Sequence, residues 1–237
     1  DNSAAIFQII TWVKQLLSSP SFHNTKVIFT DGEELGGREE GGATAQGSYA
    51  LASLLRKSGQ NTGDVYVLDG CGRGDVIAVS TTGKNNKGNV AFNTNFNQLF
   101  QRACEMARRA SGGHWVTLPV PYSDNAGFIA NGIPSVAITV LPSEEASLYM
   151  RQLQKDKNFA NTVLNHGVII HGSGFSDMQK LKAMGIEPAE ALLLSEKLPR
   201  TWRMMHTPFD DLGSLTPETF SMMDNFLHLI SDEIIPL

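Results

Sequence analysis

Short apolar runs alternate with helix-like segments along most of this chain, and that order constrains the fold more than any other feature. The apolar runs predict strands at 26–29, 65–68, 76–80, 116–120 and 135–140. Helical periodicity and end signals predict helices at 4–17, 46–57, about 95–110, 143–154 and about 217–234. The alternation predicts a single α/β domain over residues 1–237, with a mixed, mainly parallel sheet sandwiched by helices.

Three of these helices allow a finer prediction. The first is apolar around its whole circumference, so we expect it to be heavily buried against the sheet. The helix at 143–154 is expected to be capped by Ser143 and the two glutamates that follow it. The last helix has Thr216 in the N-cap position and Glu218 in its first turn.

Composition and charge exclude several classes of protein. With 237 residues, 41% hydrophobic content and 18% charged content, the chain can bury a substantial core. A net charge of −5 argues against nucleic acid or an anionic membrane as the main partner, because both require a basic face. No apolar stretch approaches the ~20 residues that a membrane-spanning helix needs. Oligomeric state is left open.

Two adjacent carboxylates, Glu33 and Glu34, follow the apolar run at 26–29 and are the strongest indication of chemistry. The carboxyl end of a strand in an α/β fold delivers side chains to a crevice, where two like charges repel unless a cation neutralises them. Neighbouring residues point in different directions, so one glutamate can bind a metal while the other acts as a general base. The pair therefore predicts a metal site.

Further candidate ligands occur at other element ends. Asp69 follows the run at 65–68, His206 precedes a turn rich in aspartate and proline, and Asp1 leads directly into the first helix. Aspartate, glutamate and histidine supply the oxygen and nitrogen ligands that zinc accepts. Together with the glutamate pair, these residues predict a zinc site assembled from several segments.

These stretches give the chain a family resemblance. It resembles the di-zinc exopeptidases of the aminopeptidase and glutamate carboxypeptidase type, a group that also includes the glutaminyl cyclases and the catalytically silent transferrin-receptor ectodomain. The matching stretches are 1–4, 29–36, 68–69, 122–135 and 206–211, which span nearly the whole chain. The resemblance implies a phosphorylase/hydrolase-like zinc exopeptidase fold and a metallopeptidase activity on peptide substrates.

Carried over by position, the resemblance implies a role for each candidate. Asp1 would bridge two zinc ions, Asp69 would hold the first ion, and Glu34 with His206 would hold the second. Glu33 would be the general base. The family more often removes residues from the amino end of a peptide, so aminopeptidase is expected ahead of carboxypeptidase.

One ligand of the family has no counterpart in this chain. The family supplies a histidine to the first zinc from a His-x-Asp motif that precedes the bridging aspartate, which here would be Asp1. We therefore expect an N-terminally truncated member that lacks the first strands and this histidine. We expect it to bind fewer than the two zinc ions of a complete site, with the position of Glu34 and His206 favoured, and to hydrolyse peptides poorly. The resemblance favours a secreted or periplasmic location, while the sequence leaves the compartment open.

Two alternatives follow from the same residues. A glutaminyl-cyclase-like acyltransferase would use related ligands with a single zinc ion and would cyclise an N-terminal glutamine. A non-catalytic, receptor-like member would have lost metal ligands. The presence of the carboxylates and of His206 argues against the second alternative, and the missing histidine argues for it.

Asp124 and Asp210 are secondary candidates. Asp124 could order substrate groups at a helix N-terminus, or it could be a simple N-cap. Asp210 or Asp211 could accept a hydrogen bond from the second imidazole nitrogen of His206 and fix its tautomer. Turn formation at 208–211 would explain the same two aspartates without that role.

The remaining features receive simpler interpretations. The irregular segment at about 144–203 is expected to shape the substrate pocket, with His166 and His171 as pocket or surface residues rather than ligands.

The glycine-rich run at 70–75 is interpreted as a turn, because a strand follows it rather than the helix of a dinucleotide site. Cys71 and Cys104 can pair only if their Cα atoms lie within about 7 Å, and Cys71 is interpreted as a buried thiol.

Overall fold

The computed structural model describes residues 2–19, 24–32, 46–84, 89–121, 123–159 and 196–232. Within these residues, four strands form one sheet in the order β1-β4-β2-β3. Their bounds are β1 Val65–Leu68, β2 Val76–Ser80, β3 Trp115–Leu118 and β4 Ser135–Leu141. Strand β1 pairs parallel with β4, and β2 pairs parallel with β3, whereas β2 and β4 are antiparallel. The prediction of a mixed, mainly parallel sheet is confirmed.

Helices precede, connect and follow these strands. Their bounds are α1 Ser3–Ser18, α2 Gly47–Lys57, α3 Val90–Ala110, α4 Asn125–Ala130, α5 Ser143–Lys155, α6 Arg200–Met204 and α7 Pro217–Asp232, with a 3₁₀ turn at Leu212–Ser214. Helix α3 begins earlier than predicted because the side chain of Asn89 accepts a hydrogen bond from the backbone N–H of Phe92 and caps it. Strand β3 ends earlier than predicted because Pro119 has no N–H to continue the ladder.

The two faces of the sheet pack against different helices. Ile77 and Val79 of β2 belong to a core shared with α3 and α7, which includes Phe96 and Phe226. Alternate residues of the same strand, such as Ala78, belong to a second core. That second core is shared with α5 and α6 and includes Tyr149 and Trp202. Because successive side chains of a strand point to opposite faces, the sheet carries helices on both sides, as predicted.

The predicted strand at 26–29 does not form one among the described residues. This segment is extended, but it joins no ladder there, and Val27, Ile28 and Phe29 are 38%, 46% and 54% exposed. An extended segment becomes a strand only when a neighbour supplies the hydrogen bonds of the ladder. The apolar composition was therefore not sufficient to establish a strand.

Helix α1 is less buried than its composition predicts. Ala5 and Trp12 are buried, whereas Phe7 is 62% exposed and Leu17 is 81% exposed. A helix on a sheet buries only the stripe that faces its neighbours, and in the described part of the chain α1 has such neighbours along one side. The prediction of all-round burial is wrong for these residues.

The beginning of α5 also differs from the prediction. Ser143 is the first helical residue, and the cap position belongs to Pro142. The backbone N–H of Ser143 donates to Oδ1 of Asp75 at 2.7 Å. A carboxylate from the turn between β1 and β2 therefore satisfies this helix end, which the local sequence did not reveal.

None of the helices in the described ranges is long and apolar enough to cross a membrane.

Candidate active site

The loop that follows β1 is where the candidate site begins. Asp69 comes directly after the strand, and its backbone N–H donates to the carbonyl oxygen of Ile138 in β4 at 3.0 Å. The next residue, Gly70, has φ +61° and lies against the terminal methyl of Met205. Glycine suits this position because φ is in the left-handed region, and a side chain there would also require the Met205 methyl to move. The loop after Asp69 therefore meets the turn before His206.

His206 lies just beyond the end of α6. Its φ is +59°, in the left-handed region that costs a residue with a Cβ about 1–2 kcal/mol. The turn is stabilised by Thr207, whose N–H and hydroxyl donate to the carbonyl oxygen of Met204 at 3.1 and 2.5 Å. An unfavourable conformation kept by surrounding contacts is frequent where a side chain must point in one direction, and it is consistent with the role predicted for His206.

A small cleft, open to solvent, lies between these segments. Its lining includes Gly70, which follows Asp69, and Met205, which precedes His206. It also includes Asn2, which follows Asp1 in the chain. Three segments predicted separately as ligand-bearing thus meet around one cleft.

Asn2 is attached to the end of β1. Its Nδ2 donates to the carbonyl oxygen of Leu68 at 2.9 Å, so the start of α1 lies beside the strand end that carries Asp69. Further along α1, Nε2 of Gln8 donates to the carbonyl oxygen of Cys71 at 3.0 Å. Among the described residues, Oδ1 of Asn2 and Oγ1 of Thr201 are buried without a hydrogen-bond partner, and both residues line the cleft.

Asp124 does not act as the simple N-cap that the sequence allowed. It occupies the cap position of α4, but its backbone is helical and its side chain makes no capping bond within the described ranges. Instead its Oδ2 accepts a hydrogen bond of 2.6 Å from the hydroxyl of Thr30. Its Oδ1 is buried, with no partner among the described residues. The proposed contact of Asp124 with substrate remains a prediction.

Asp210 lines the cleft and also takes part in the predicted turn. Its backbone N–H donates to the carbonyl oxygen of Thr207 at 3.0 Å, and Phe209 N donates to the hydroxyl of Thr207 at 3.2 Å. These bonds support the turn at 208–211. The predicted acceptance from the His206 imidazole by Asp210 or Asp211 remains a prediction.

Cys71 is a free, buried thiol at the inner end of the loop, and its Sγ donates to the carbonyl oxygen of Ile138 at 3.3 Å. Burial raises the pKa of this thiol far above its ordinary value, and the nearby charge of Asp69 raises the pKa further. Cys104 is also free, so no disulfide joins these two cysteines of the described chain. The interpretation of Cys71 as a small apolar residue is consistent with its place in the core of α3 and α7.

Several predicted site residues lie outside the described residues: Asp1, Glu33, Glu34, His166 and His171. Of the five residues implied as metal ligands or base, the structure therefore brings together the segments of two, Asp69 and His206. In the described ranges, no group of three or more histidine, cysteine, aspartate or glutamate residues is arranged to hold a metal ion. The donor types of Asp69 and His206, a carboxylate oxygen and an imidazole nitrogen, fit zinc.

Two residues beside the cleft were missed by sequence reasoning. Arg73 was treated as part of a turn, and Glu145 as part of a helix cap, yet their side chains meet at 3.3 Å. The only signal in the sequence was an acidic residue in a first helical turn, which is common at any helix start. Their pairing depends on a contact between segments that are far apart in the chain.

Comparison of the chain with protein-family models, with curated proteins and with solved structures finds no match.

Proposed function

We propose that this chain is a zinc-dependent exopeptidase that hydrolyses the terminal peptide bond of a peptide, with the aminopeptidase reaction favoured. The observation that supports this most directly is the shared cleft. The loop after Asp69 and the turn before His206 line it, together with the residue that follows Asp1. Zinc sites are usually built from carboxylates and imidazoles at several element ends, and here Asp69 and His206 are the chain neighbours of the lining residues Gly70 and Met205.

The ligand set in this proposal follows the family resemblance. In the complete site that the resemblance implies, Asp69 would hold one zinc ion, Glu34 with His206 would hold the other, and Asp1 would be shared by both. Bound zinc would supply a water of lowered pKa and a Lewis acid beside the scissile carbonyl. Asp210 would hold the His206 ring in one tautomer by accepting from its second nitrogen.

Glu33 carries the proton chemistry. Its carboxylate takes a proton from the attacking water as the new C–O bond forms. It then delivers that proton to the amide nitrogen, so that the C–N bond breaks and the amine leaves neutral.

The test combines metal analysis with turnover. Purified protein is loaded with zinc, and hydrolysis of a panel of aminoacyl-p-nitroanilides is compared with that of their N-acetylated forms. We expect zinc-dependent cleavage of the free-amino substrates only, abolished by a chelator and restored by zinc. Glu33→Gln should lower turnover by about 100-fold or more while zinc content stays near wild type.

The matched control is Glu196→Gln, which makes the same chemical change at an exposed glutamate. It should leave turnover unchanged. A Glu33→Gln protein with normal turnover would exclude Glu33 as the base. Cyclisation of an N-terminal glutamine without any hydrolysis would contradict the proposal and favour the acyltransferase alternative.

A further inference from the structure

Helix α1 has a second apolar face, on the side away from the one that packs on the domain. The buried residues of this helix are Ala5, Gln8 and Trp12. Across the helix from them lie four apolar residues, which we call the α1 stripe: Ile6, Ile10, Val13 and Leu17. At 3.6 residues per turn, these four positions fall within about 60° of one another around the helix axis. The stripe is therefore a continuous apolar line about three turns long.

The α1 stripe is exposed to solvent. Ile6, Ile10 and Leu17 are 41%, 43% and 81% exposed, and Val13 is half-buried. Phe7 widens the apolar surface on one side, where its ring packs edge-to-face on Phe220 of α7 with 6.3 Å between centroids. Single apolar residues on a surface need no explanation, whereas a contiguous apolar patch marks an interaction site.

The spacing of the stripe is self-complementary. Its residues are separated by four, three and four positions, a pattern that is the same in both chain directions. If two copies of α1 pack antiparallel across a two-fold axis between residues 11 and 12, Ile6 faces Leu17 of the partner subunit. In the same arrangement Ile10 faces Val13 of the partner subunit. Alternating steps of three and four are the spacing with which two helices pack along one another, so a second copy of the chain matches the stripe layer by layer.

The extended segment at 26–29 adds apolar surface at the same edge of the sheet. Strand β1 is the outer strand of the described sheet, and α1 starts beside its end, where Asn2 donates to the carbonyl oxygen of Leu68. The segment at 26–29 is attached to the loop that leads into β1, because Nζ of Lys26 donates to Oε1 of Gln60 at 3.0 Å. Its three exposed apolar residues therefore lie at the β1 edge, as α1 does.

The exposed apolar area is large enough for a dimer. Four large apolar residues of α1 and three at 27–29 are exposed by between 38% and 81%. With about 200 Å² for a fully exposed large apolar side chain, these residues present roughly 700 Å² of surface. The largest apolar patch of a typical monomer is about 300–600 Å², and a standard interface buries about 800 Å² on each partner. The area thus exceeds that of an ordinary surface patch and approaches that of a specific interface.

Charge favours a second copy over a membrane as the occupant. Within Ser3–Ser18, Lys14 is the one charged residue. The chain carries a net charge of −5, so two copies repel each other, and contact through an almost neutral face keeps this repulsion low. Helices that lie on anionic membranes have a cationic polar face opposite the apolar one, whereas the opposite face of α1 is buried in the domain.

We infer that the α1 stripe is the contact surface of a homodimer, in which two copies of α1 pack antiparallel across a two-fold axis and the segments at 26–29 extend the interface. The interface removes Leu17, at 81% exposure, from water in both subunits. The inference is independent of the proposed zinc chemistry, because no residue of the stripe is a proposed ligand or base.

Sedimentation velocity at increasing protein concentration measures the association. We expect wild type to form a dimer below about 100 μM. Leu17→Glu places a carboxylate against Ile6 of the partner subunit in both halves of the interface, and it should raise the dissociation constant at least about 100-fold. Leu148→Glu is the matched control, since Leu148 is 55% exposed within α5, which packs on the other face of the sheet. It should leave the dissociation constant within about twofold of wild type.

A charge pair tests the antiparallel arrangement. Ile6→Lys alone should weaken the dimer as Leu17→Glu does. In an equimolar mixture of the two variants, the new ammonium faces the new carboxylate in one layer, and the unchanged isoleucine and leucine face each other in the other. The mixture should therefore associate at least about tenfold more tightly than either variant alone. A parallel arrangement brings residue 6 against residue 6 and gives no such recovery, so its absence would overturn the inferred geometry.

The remaining outcomes also decide the question. Wild type that stays monomeric up to about 100 μM, or a dimer that Leu17→Glu leaves intact, would overturn the inference. Monomeric wild type that cosediments with phosphatidylcholine vesicles, when Leu17→Glu does not, would overturn it in favour of a lipid surface. Circular dichroism verifies that each variant is folded, and if Leu17→Glu does not fold, Ile6→Lys tests the same interface.

Discussion

Thr30 donates a hydrogen bond of 2.6 Å from its hydroxyl to Oδ2 of Asp124, across 94 positions of sequence. This bond attaches the segment that ends at Gly32, immediately before Glu33, to the start of α4. A second contact acts nearby, since Gly47 N donates to the carbonyl oxygen of Asp31 at 2.9 Å. The approach to the predicted glutamate pair is therefore held from two sides, by α4 and by α2.

Replacement of Thr30 by valine should destabilise the protein. The change keeps the shape of the side chain but leaves Oδ2 of Asp124 without its donor, and hydrogen bonds to charged groups contribute about 1.5–3 kcal/mol. We expect Thr30→Val to lower the free energy of unfolding by about 1–2 kcal/mol, measured by urea denaturation. Thr25→Val is the control, because the buried Thr25 hydroxyl has no partner among the described residues and should be nearly neutral. Equal effects of the two changes would contradict the role of the Thr30 bond.

Gly74 cannot accept a side chain. Its φ is +120°, and a Cβ there would collide with the backbone of Leu141 and the nitrogen of Pro142. Gly113 has a similar φ of +100° but open space around the Cβ position. Gly113→Ala should therefore cost about 1–2 kcal/mol from backbone strain alone, and Gly74→Ala should cost at least about 2 kcal/mol more. Thermal or urea unfolding of both variants checks this, and indistinguishable values would mean that the collision with β4 is relieved.

The hydroxyl of Tyr149 should contribute more than that of Tyr66. Tyr149 is 1% exposed, and its hydroxyl donates to the carbonyl oxygen of Pro119 at 2.8 Å. Removal of this hydroxyl would leave the Pro119 carbonyl without that donor. Tyr66 donates to Asp64, which keeps two bonds from Arg102 without it. Tyr149→Phe should lower the free energy of unfolding by about 1–2 kcal/mol, and Tyr66→Phe by less than about 0.5 kcal/mol. A smaller loss of unfolding free energy for Tyr149→Phe than for Tyr66→Phe would show that the Pro119 carbonyl is bonded by another donor.

The thiol of Cys104 should react slowly at neutral pH. Burial raises its pKa to about 11, although the nearby charge of Lys84 acts in the opposite direction. The thiolate is the reactive form, so modification by a disulfide reagent should accelerate about tenfold per pH unit between pH 8 and 10. Because the folded pKa lies above the unfolded one, the thiol's contribution to stability is complete below about pH 9 and is lost as pH rises towards 11.

The measurement for Cys104 follows reagent uptake by the folded protein, with circular dichroism recorded at each pH. Cys104→Ser should remove the pH-dependent phase, because Cys71 is fully buried and reacts only on unfolding. A rate that is half-maximal near pH 8.5–9 and levels off by about pH 10 would show that the thiol has an ordinary pKa in the folded state.

Much of the local structure could be predicted from the sequence because its signals act over a few residues. The bounds of β1 and β2 follow from apolar runs that each begin directly after an aspartate, and the position of Asp69 follows from the end of β1. For the same reason His206, beside its turn, could be selected as a candidate. Such signals depend on backbone propensity and side-chain periodicity, which neighbours in the chain are sufficient to set.

Only the tertiary structure decided how these parts meet. The antiparallel pairing of β2 with β4 and the bond from Thr30 to Asp124 depend on contacts between distant segments. The same is true of Glu145. In the sequence it is one more acidic residue in a first helical turn, and only the structure shows its contacts with Arg73 and with the backbone N–H of Thr201. Apolar composition at 26–29 could not establish a strand, because a strand exists only through the hydrogen bonds of a partner. The sequence by itself determined which segments are helical or extended and which side chains could bind zinc, while long-range packing and hydrogen bonding decided their mutual arrangement.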